Sequence, residues 1–482
     1  MLWIALHFPA LPLEIFSRGA AVPGAMLGPL AVIEKQGNRS VVIACNEAAS
    51  ACGVKAGMPA SAAQALADGL AVRARDAGAE QESLSGIAAW AGRFTPAVSL
   101  QPPDGLLLEV ESCLRLHRGL DNLLDMIRSG LDEMGYASAM ACTPTPHGAW
   151  LLALAGAEAV IREPARLEKI LGALPVSLLD QPPEILDSLD KVGAHTLGDC
   201  LRLPRAGMAR RFGTGLLDEV GRALGRLPEA REFFVPPPEF WRRLELPALV
   251  HEAEALLFAA RRLLPELEGY LNLRQAGVQE FELVCCHEDV PDTVLKLGFV
   301  KPTRSMERMQ LLLRETLAQA RLPAPVHTIM LHARLILPLD AANADLFQDS
   351  KAAEEGDLLL ERLRIRLGKD AVFGIAPAAD HRPEKSWRRC EAGDDVRPSA
   401  KDCVRPSGVR PVERPLWLLP RPLPCRESML VHKTGPERIE SGWWDGRDAA
   451  RDYYVAQHRN GSRLWVYCDH ASGEWYVHGL FA

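Results

Sequence analysis

Two proline-rich stretches divide this chain, and each piece they separate has to bury a core of its own. The first is FVPPPEFW at 234–241. Its prolines remove backbone N–H donors and fix φ, so it reads as an extended, semi-rigid tether. The second covers 376–427 and contains WRRCEAGDDVRPSAKDCVRPSGVRPVERP. Rich in Pro, Arg and Asp, it reads as a poorly ordered linker. It takes in PLWLL at 415–419, a docking segment or a strap across the fold. The 482 residues leave room for roughly three to five domains around these tethers.

Before the first tether, residues 1–165 alternate strand and helix signals. Strands are expected at 2–6, 29–34, 40–44, 106–110 and 137–141. Helices are expected over 46–66, interrupted at GVKAGMP, and over 114–134 and 149–160. Residues 166–235 read as short helices. Within them, LDKVGAHTLGDCLRLPRAGMARRFG places a glycine turn at Gly193 and a helix start at Thr196. That is the pattern of a helix–hairpin–helix, whose turn offers backbone N–H groups to a phosphate, or of a plain helical hairpin. Residues 242–340 give strand, helix, strand, strand, helix, strand, with helices at 253–267 and 305–320 and strands including 279–285 and 328–337. The last 55 residues, 428–482, alternate strands with Gly turns, and Asn460-Gly461 lies between two aromatic runs. The fold class is α+β and multidomain, ending in a small β-rich module.

The net charge is −7. A protein that holds nucleic acid unaided is usually basic, so any grip on DNA should be weak and salt-sensitive. Eleven cysteines contain no CxxC pair, which argues against a zinc finger or disulfide framework and for a reducing compartment. The apolar start lacks a basic n-region and is broken by Pro9 and Pro12, and no apolar run is long enough for a membrane span. The expectation is a cytoplasmic, nucleoid-associated protein with no membrane partner.

The stretch ACNEAASACGVKAGMPASAAQAL carries a family signal. It resembles the fingers segment of Y-family DNA polymerases, and GVKAGMP at 53–59 agrees almost entirely. On that anchor, MLWIALHFPALPLE falls on the family's first strand and VSLQPPDGLLLEV on its palm hairpin. The resemblance implies a palm at 1–17 and 79–165, fingers at 18–78, a helical thumb at 166–235 and a little finger at 242–340. A clamp-binding peptide and linker follow at 341–427, then a C-terminal β-module at 428–482. That tail, GPERIESGWWDG to WYVHGLFA, resembles one bacterial subgroup of the family, inactive homologues from mutagenesis cassettes.

The departures from the family pattern are concentrated in one place. A polymerase of this kind needs carboxylates for two Mg²⁺ ions, which prefer oxygen ligands in octahedral geometry. The first acidic position holds Ala5. On the hairpin Asp104 remains, but the glutamate position is Gly105. His7 is a poor substitute, since imidazole suits softer metals. The family's triphosphate-binding Tyr and Arg fall at Glu47 and Ser50, its palm lysine at Trp150, and its bulky steric-gate aromatic at Ala10. The resemblance therefore implies a pseudoenzyme without a metal cofactor. Two rivals are an active translesion polymerase with a remodelled metal site, which would use Mg²⁺, and a plain DNA-binding protein without partners.

Such a shell can still meet primer–template DNA through backbone contacts. Candidates are Lys191, Arg210 and Arg211 in the thumb and Arg304 and Arg308 in the little finger. LILPLDAANADLFQDS contains Asn343, Ala344, Asp345, Leu346 and Phe347, similar to the bacterial sliding-clamp pentapeptide, in which Leu and Phe enter an apolar pocket. Trp443, Trp444, Tyr453, Tyr454, Trp465, Trp475 and Tyr476 either stack bases or form the core and edges of a small sheet. By resemblance, the tail contacts a RecA-like accessory protein and an error-prone C-family DNA polymerase.

Overall fold

The computed structural model describes residues 1–19, 28–339, 350–393, 413–446 and 448–481, with side chains from 354 onward in the third span. The chain forms two units, 1–362 and 363–482.

The first unit opens with β1 (Trp3–His7) and α1 (Leu11–Ser17). A fingers-like insertion follows: β2 (Leu30–Gln36), β3 (Arg39–Cys45), α2 (Glu47–Ala51), α3 (Ala60–Leu66) and β4 (Ala71–Ala74). Its strands form a three-stranded sheet in the order β3-β2-β4. Asn46 caps α2 by accepting the Ala49 N–H at 3.0 Å. GVKAGMP separates α2 from α3 because Gly53 and Gly57 adopt φ of +91° and +87°, the left-handed region that glycine enters without strain.

The palm resumes with α4 (Ala77–Ala91), β5 (Val98–Gln101), β6 (Gly105–Glu109), α5 (Leu120–Met134), β7 (Ala139–Thr143) and α6 (Pro146–Leu154). The antiparallel sheet runs β5-β6-β1-β7. The period-two alternation of β1 sorts its side chains. Ile4, Leu6 and Phe8 join α4 and α5 in one core, whereas Trp3 and Ala5 join Leu107, Ala141 and α6 in another. Two helix expectations shift. The 114–134 helix begins at Leu120, after Gly119 at φ +115°. The 149–160 helix is α6, which starts earlier because Thr145 caps it and Pro146 suits the first turn, and ends before Gly156 at φ +66°.

The thumb-like part comprises α7 (Pro164–Gly172), α8 (Pro183–Lys191), α9 (Leu197–Arg202), α10 (Arg205–Phe212) and α11 (Gly215–Ala223). The little-finger-like part comprises β8 (Phe240–Val250), α12 (Leu256–Arg261), α13 (Leu264–Leu273), β9 (Ala276–Cys286), β10 (Thr293–Thr303), α14 (Met306–Gln319) and β11 (Val326–Pro338). Its sheet order is β10-β9-β11-β8. The expected 253–267 helix is broken into a 3₁₀ turn, α12 and α13 and extends to Leu273. This module is bolted to the palm. Glu266 of α13, with no exposure, receives Arg18, just after α1, at 3.1 Å and Arg242 of β8 at 2.9 Å. Glycine permits the approach: a Cβ at Gly269 would lie 2.3 Å from the Ala89 carbonyl oxygen.

The stretch expected as a linker over 376–427 holds strands among its described residues. The helix α15 (Ser350–Leu367) is followed by a hairpin of β12 (Phe373–Pro377) and β13 (Trp387–Glu391). Next, β14 (Trp417–Cys425) already belongs to the C-terminal sheet, so the β-module starts before 428. That sheet runs β14-β18-β17-β16-β15 with β15 (Leu430–Ser441), β16 (Ala449–His458), β17 (Arg463–Asp469) and β18 (Trp475–Leu480). Pro420, Pro422 and Pro424 fit β14 because an edge strand needs donors on one side only. Tyr453 and Trp465 stack in the core at 4.1 Å, each 1% exposed. Trp443 and Trp444 instead stand out at 79% and 57% exposure.

Candidate functional site

The site follows from the register of β1. Ala5 lies opposite Leu107 and Ala141, and His7 opposite Gly105 and Ala139. The Phe8 N–H donates to the Asp104 carbonyl at 2.8 Å, so the β5–β6 turn is held against the end of β1. Asp104 and Gly105 thus lie beside the end of β1, two residues along from Ala5.

Their chemistry is that of a core. Ala5 is fully buried. Trp150, 7% exposed, reaches down from α6 into the space beside Gly105. A Cβ built on Gly105 would lie 2.2 and 2.4 Å from the Cζ3 and Cη2 atoms of the indole, so no side chain fits there. His7 packs its ring edge-on to Trp150 at 5.5 Å, and its Nε2 lies 3.4 Å from the Asp104 carboxylate. Two Mg²⁺ ions would need several oxygen ligands in this volume. One carboxylate and one imidazole are present, and an indole fills the rest, so the residues do not fit the metals. Among the described residues no three His, Cys, Asp or Glu side chains cluster as a metal site elsewhere.

The positions that the family resemblance assigns to nucleotide contacts lie as follows. Glu47 and Ser50 are exposed on α2, and Ala10 precedes α1 with no bulk to gate a sugar.

Buried acids that sequence reasoning did not single out hold the frame. Glu219 of α11 accepts from the Asp180 N–H at 2.9 Å and from Gln181 at 2.7 Å, and lies 3.2 Å from His147 of α6. Burial opposes its ionisation, but these partners outweigh burial and hold its pKa below the ordinary value. Glu14 accepts the Ala137 N–H at 2.7 Å, and burial pushes its carboxyl up to about 7. Its place at the end of the first-strand motif was the one available signal; acids such as Glu219 and Glu266 carry none, since acids default to the surface.

The nucleic-acid candidates separate into groups. Lys191, Arg210 and Arg211 are exposed on the thumb, the arginines at the end of α10. The hairpin between α8 and α9 does form, with Gly193 at φ +77° and a Thr196–Asp199 capping box. Its amides are not free for a phosphate, however. The Gly193 and Ala194 N–H groups donate to Asp190 and Leu189 carbonyls, and those of His195 and Thr196 donate to the Asp199 carboxylate. Arg304 is exposed. Arg308 is not: its guanidinium is committed to Glu361 at 2.8 and 2.5 Å. The clamp-like residues Asn343, Ala344, Asp345, Leu346 and Phe347 lie outside the described residues.

Comparison with known proteins now bears on this frame. Residues 25–153 match the impB/mucB/samB family. Over 456 residues it is 29% identical to Protein ImuB of Caulobacter vibrioides strain NA1000, covering 89% of this chain and all of that protein. ImuB of a second strain of that species, ATCC 19089, matches equally. Solved structures similar to 70% of the chain include DinB from Sulfolobus solfataricus, at 19% identity and TM-score 0.39. An insertion ternary complex of Dbh DNA polymerase is similar at 18% identity and TM-score 0.41; each of these chains is covered in full. Among the described residues no helix is long and apolar enough to cross a membrane.

Proposed function

We propose that this chain is a non-catalytic Y-family homologue, an adaptor in DNA damage tolerance and induced mutagenesis. The observation that carries the reading is the indole of Trp150 lying where a metal-binding carboxylate on residue 105 would have to be. A palm kept in outline but packed like a core serves as scaffold. Primer–template DNA is met weakly, through exposed cations such as Arg210 and Arg211, because the net charge is −7. The Asp345-Leu346-Phe347 segment tethers the chain to the sliding clamp and raises its local concentration at DNA. The C-terminal module recruits an error-prone C-family polymerase together with a RecA-like accessory protein. The test is co-purification from damage-stressed cells. Clamp and C-family polymerase are expected to come down with the full chain, and deleting Asp345-Leu346-Phe347 should remove the clamp while leaving the polymerase. Clamp capture that survives the deletion, or a chain that brings down neither protein, would overturn the adaptor role.

A further inference from the structure

The helix α15 is held in an unusual way. Among its described side chains, 354–367, the two that are buried are both acids, Asp357 and Glu361. Its leucines are half-buried or exposed, Leu359 at 57% and Leu367 at 62%. A helix docked as part of a core buries an apolar stripe instead.

Its acids lie on the little-finger-like module. The Glu361 carboxylate takes both Arg308 bonds and also accepts the Val300 N–H at 2.7 Å. Asp357 pairs with Lys301 at 3.0 Å, and Arg362 with Glu315 at 2.6 Å. An arginine fork beside a backbone N–H is also the arrangement that receives a phosphate oxygen pair. Arg304, four residues before Arg308 in sequence and exposed, adds a further cation. Helices attached through charges rather than apolar burial sit at the low-stability end of a fold and come away most readily.

We propose that α15 is an autoinhibitory acidic strap: Asp357 and Glu361 stand in for backbone phosphates over Lys301 and Arg308, and DNA engages these cations only when the strap is displaced. This rests on the reading that the chain binds primer–template DNA. It makes affinity adjustable: the strapped form binds without Lys301 and Arg308, and the unstrapped form adds them.

The experiment is fluorescence anisotropy of a labelled primer–template with the full chain, titrated across salt. Asp357→Asn, which frees Lys301 at little risk to folding, should tighten binding about threefold at low salt and steepen the log–log salt slope by about 0.9. Glu361→Gln should act in the same direction through Arg308, and adding Arg308→Ala to it should return the slope to wild type. Both variants matching wild type in affinity and slope would overturn the strap, as would tightening that Arg308→Ala does not reverse. An Arg210→Ala/Arg211→Ala chain separates this failure from that of the underlying reading. If it weakens binding while the strap variants do nothing, DNA binding stands and the strap falls. If wild type and every variant fail to bind, both fall.

Discussion

Alanine at position 105 probes how completely the space beside Gly105 is filled. Gly105 is a strand residue with no left-handed backbone, so the effect of a methyl group is steric alone. That methyl would start 2.2 Å from the Trp150 ring and 3.0 Å from the Gln101 carbonyl oxygen. Ordinary carbon contacts need about 3.5–4 Å, so the indole has to move by more than an ångström. Trp150 is 7% exposed and wedged among Ala5, Leu107 and Ala149, which limits that movement. Overpacking of this kind costs about 1–3 kcal/mol, and the confinement places Gly105→Ala towards the upper end. Trp150→Ala alone leaves a cavity and costs about 3–5 kcal/mol. In the double variant the methyl enters that cavity, so the overpacking cost disappears. Urea unfolding of the full chain should therefore show a favourable coupling of about 1–3 kcal/mol between the two changes. Additivity within about 0.5 kcal/mol, or a Gly105→Ala chain as stable as wild type, would refute the claim that the indole occupies the carboxylate's place.

Three further outcomes are expected. Because the Glu14 carboxyl is raised from 4.5 to about 7 in the folded state, that state holds the extra proton and stability falls as pH rises between those values, by at most roughly 3 kcal/mol. Glu14→Gln should abolish that fall and be the more stable chain at pH 8, read from unfolding midpoints across pH. Glu266→Ala leaves Arg18 and Arg242 buried without their partner and should cost about 3–5 kcal/mol, measured by urea unfolding; a loss under about 1 kcal/mol would mean the triad is not what bolts the little finger to the palm. Arg210→Ala/Arg211→Ala should weaken primer–template binding and flatten its salt slope by up to about 1.8, two phosphate contacts' worth, measured by anisotropy.

The polymerase-like frame was legible because its signals are local. Alternation in β1, the Asn46 cap and the glycines of GVKAGMP each act within a few residues. That Ala5 and Gly105 bring no carboxylate to the end of β1 is a matter of residue identity and was legible too. That Trp150 would fill the space was not, because it depends on α6 crossing the sheet at one height. Arg308 read as a surface cation because its partner Glu361 is 53 residues away. The pattern around Gly193 left a phosphate-binding hairpin and a plain helical hairpin open, because Asp199 both caps α9 and takes the amides that a phosphate would use. The 376–427 stretch read as a linker because prolines and charges dominate it, yet proline is compatible with the hairpin ends and with the edge strand β14.

Primer extension by the purified full chain, with Mg²⁺ or Mn²⁺ and all four nucleotides, tests the central claim most directly. With Trp150 seated beside Gly105, where no side chain fits, and Asp104 close to His7, no nucleotide should be added with either metal, and Asp104→Ala should match wild type. Extension that requires Asp104 would contradict the claim outright.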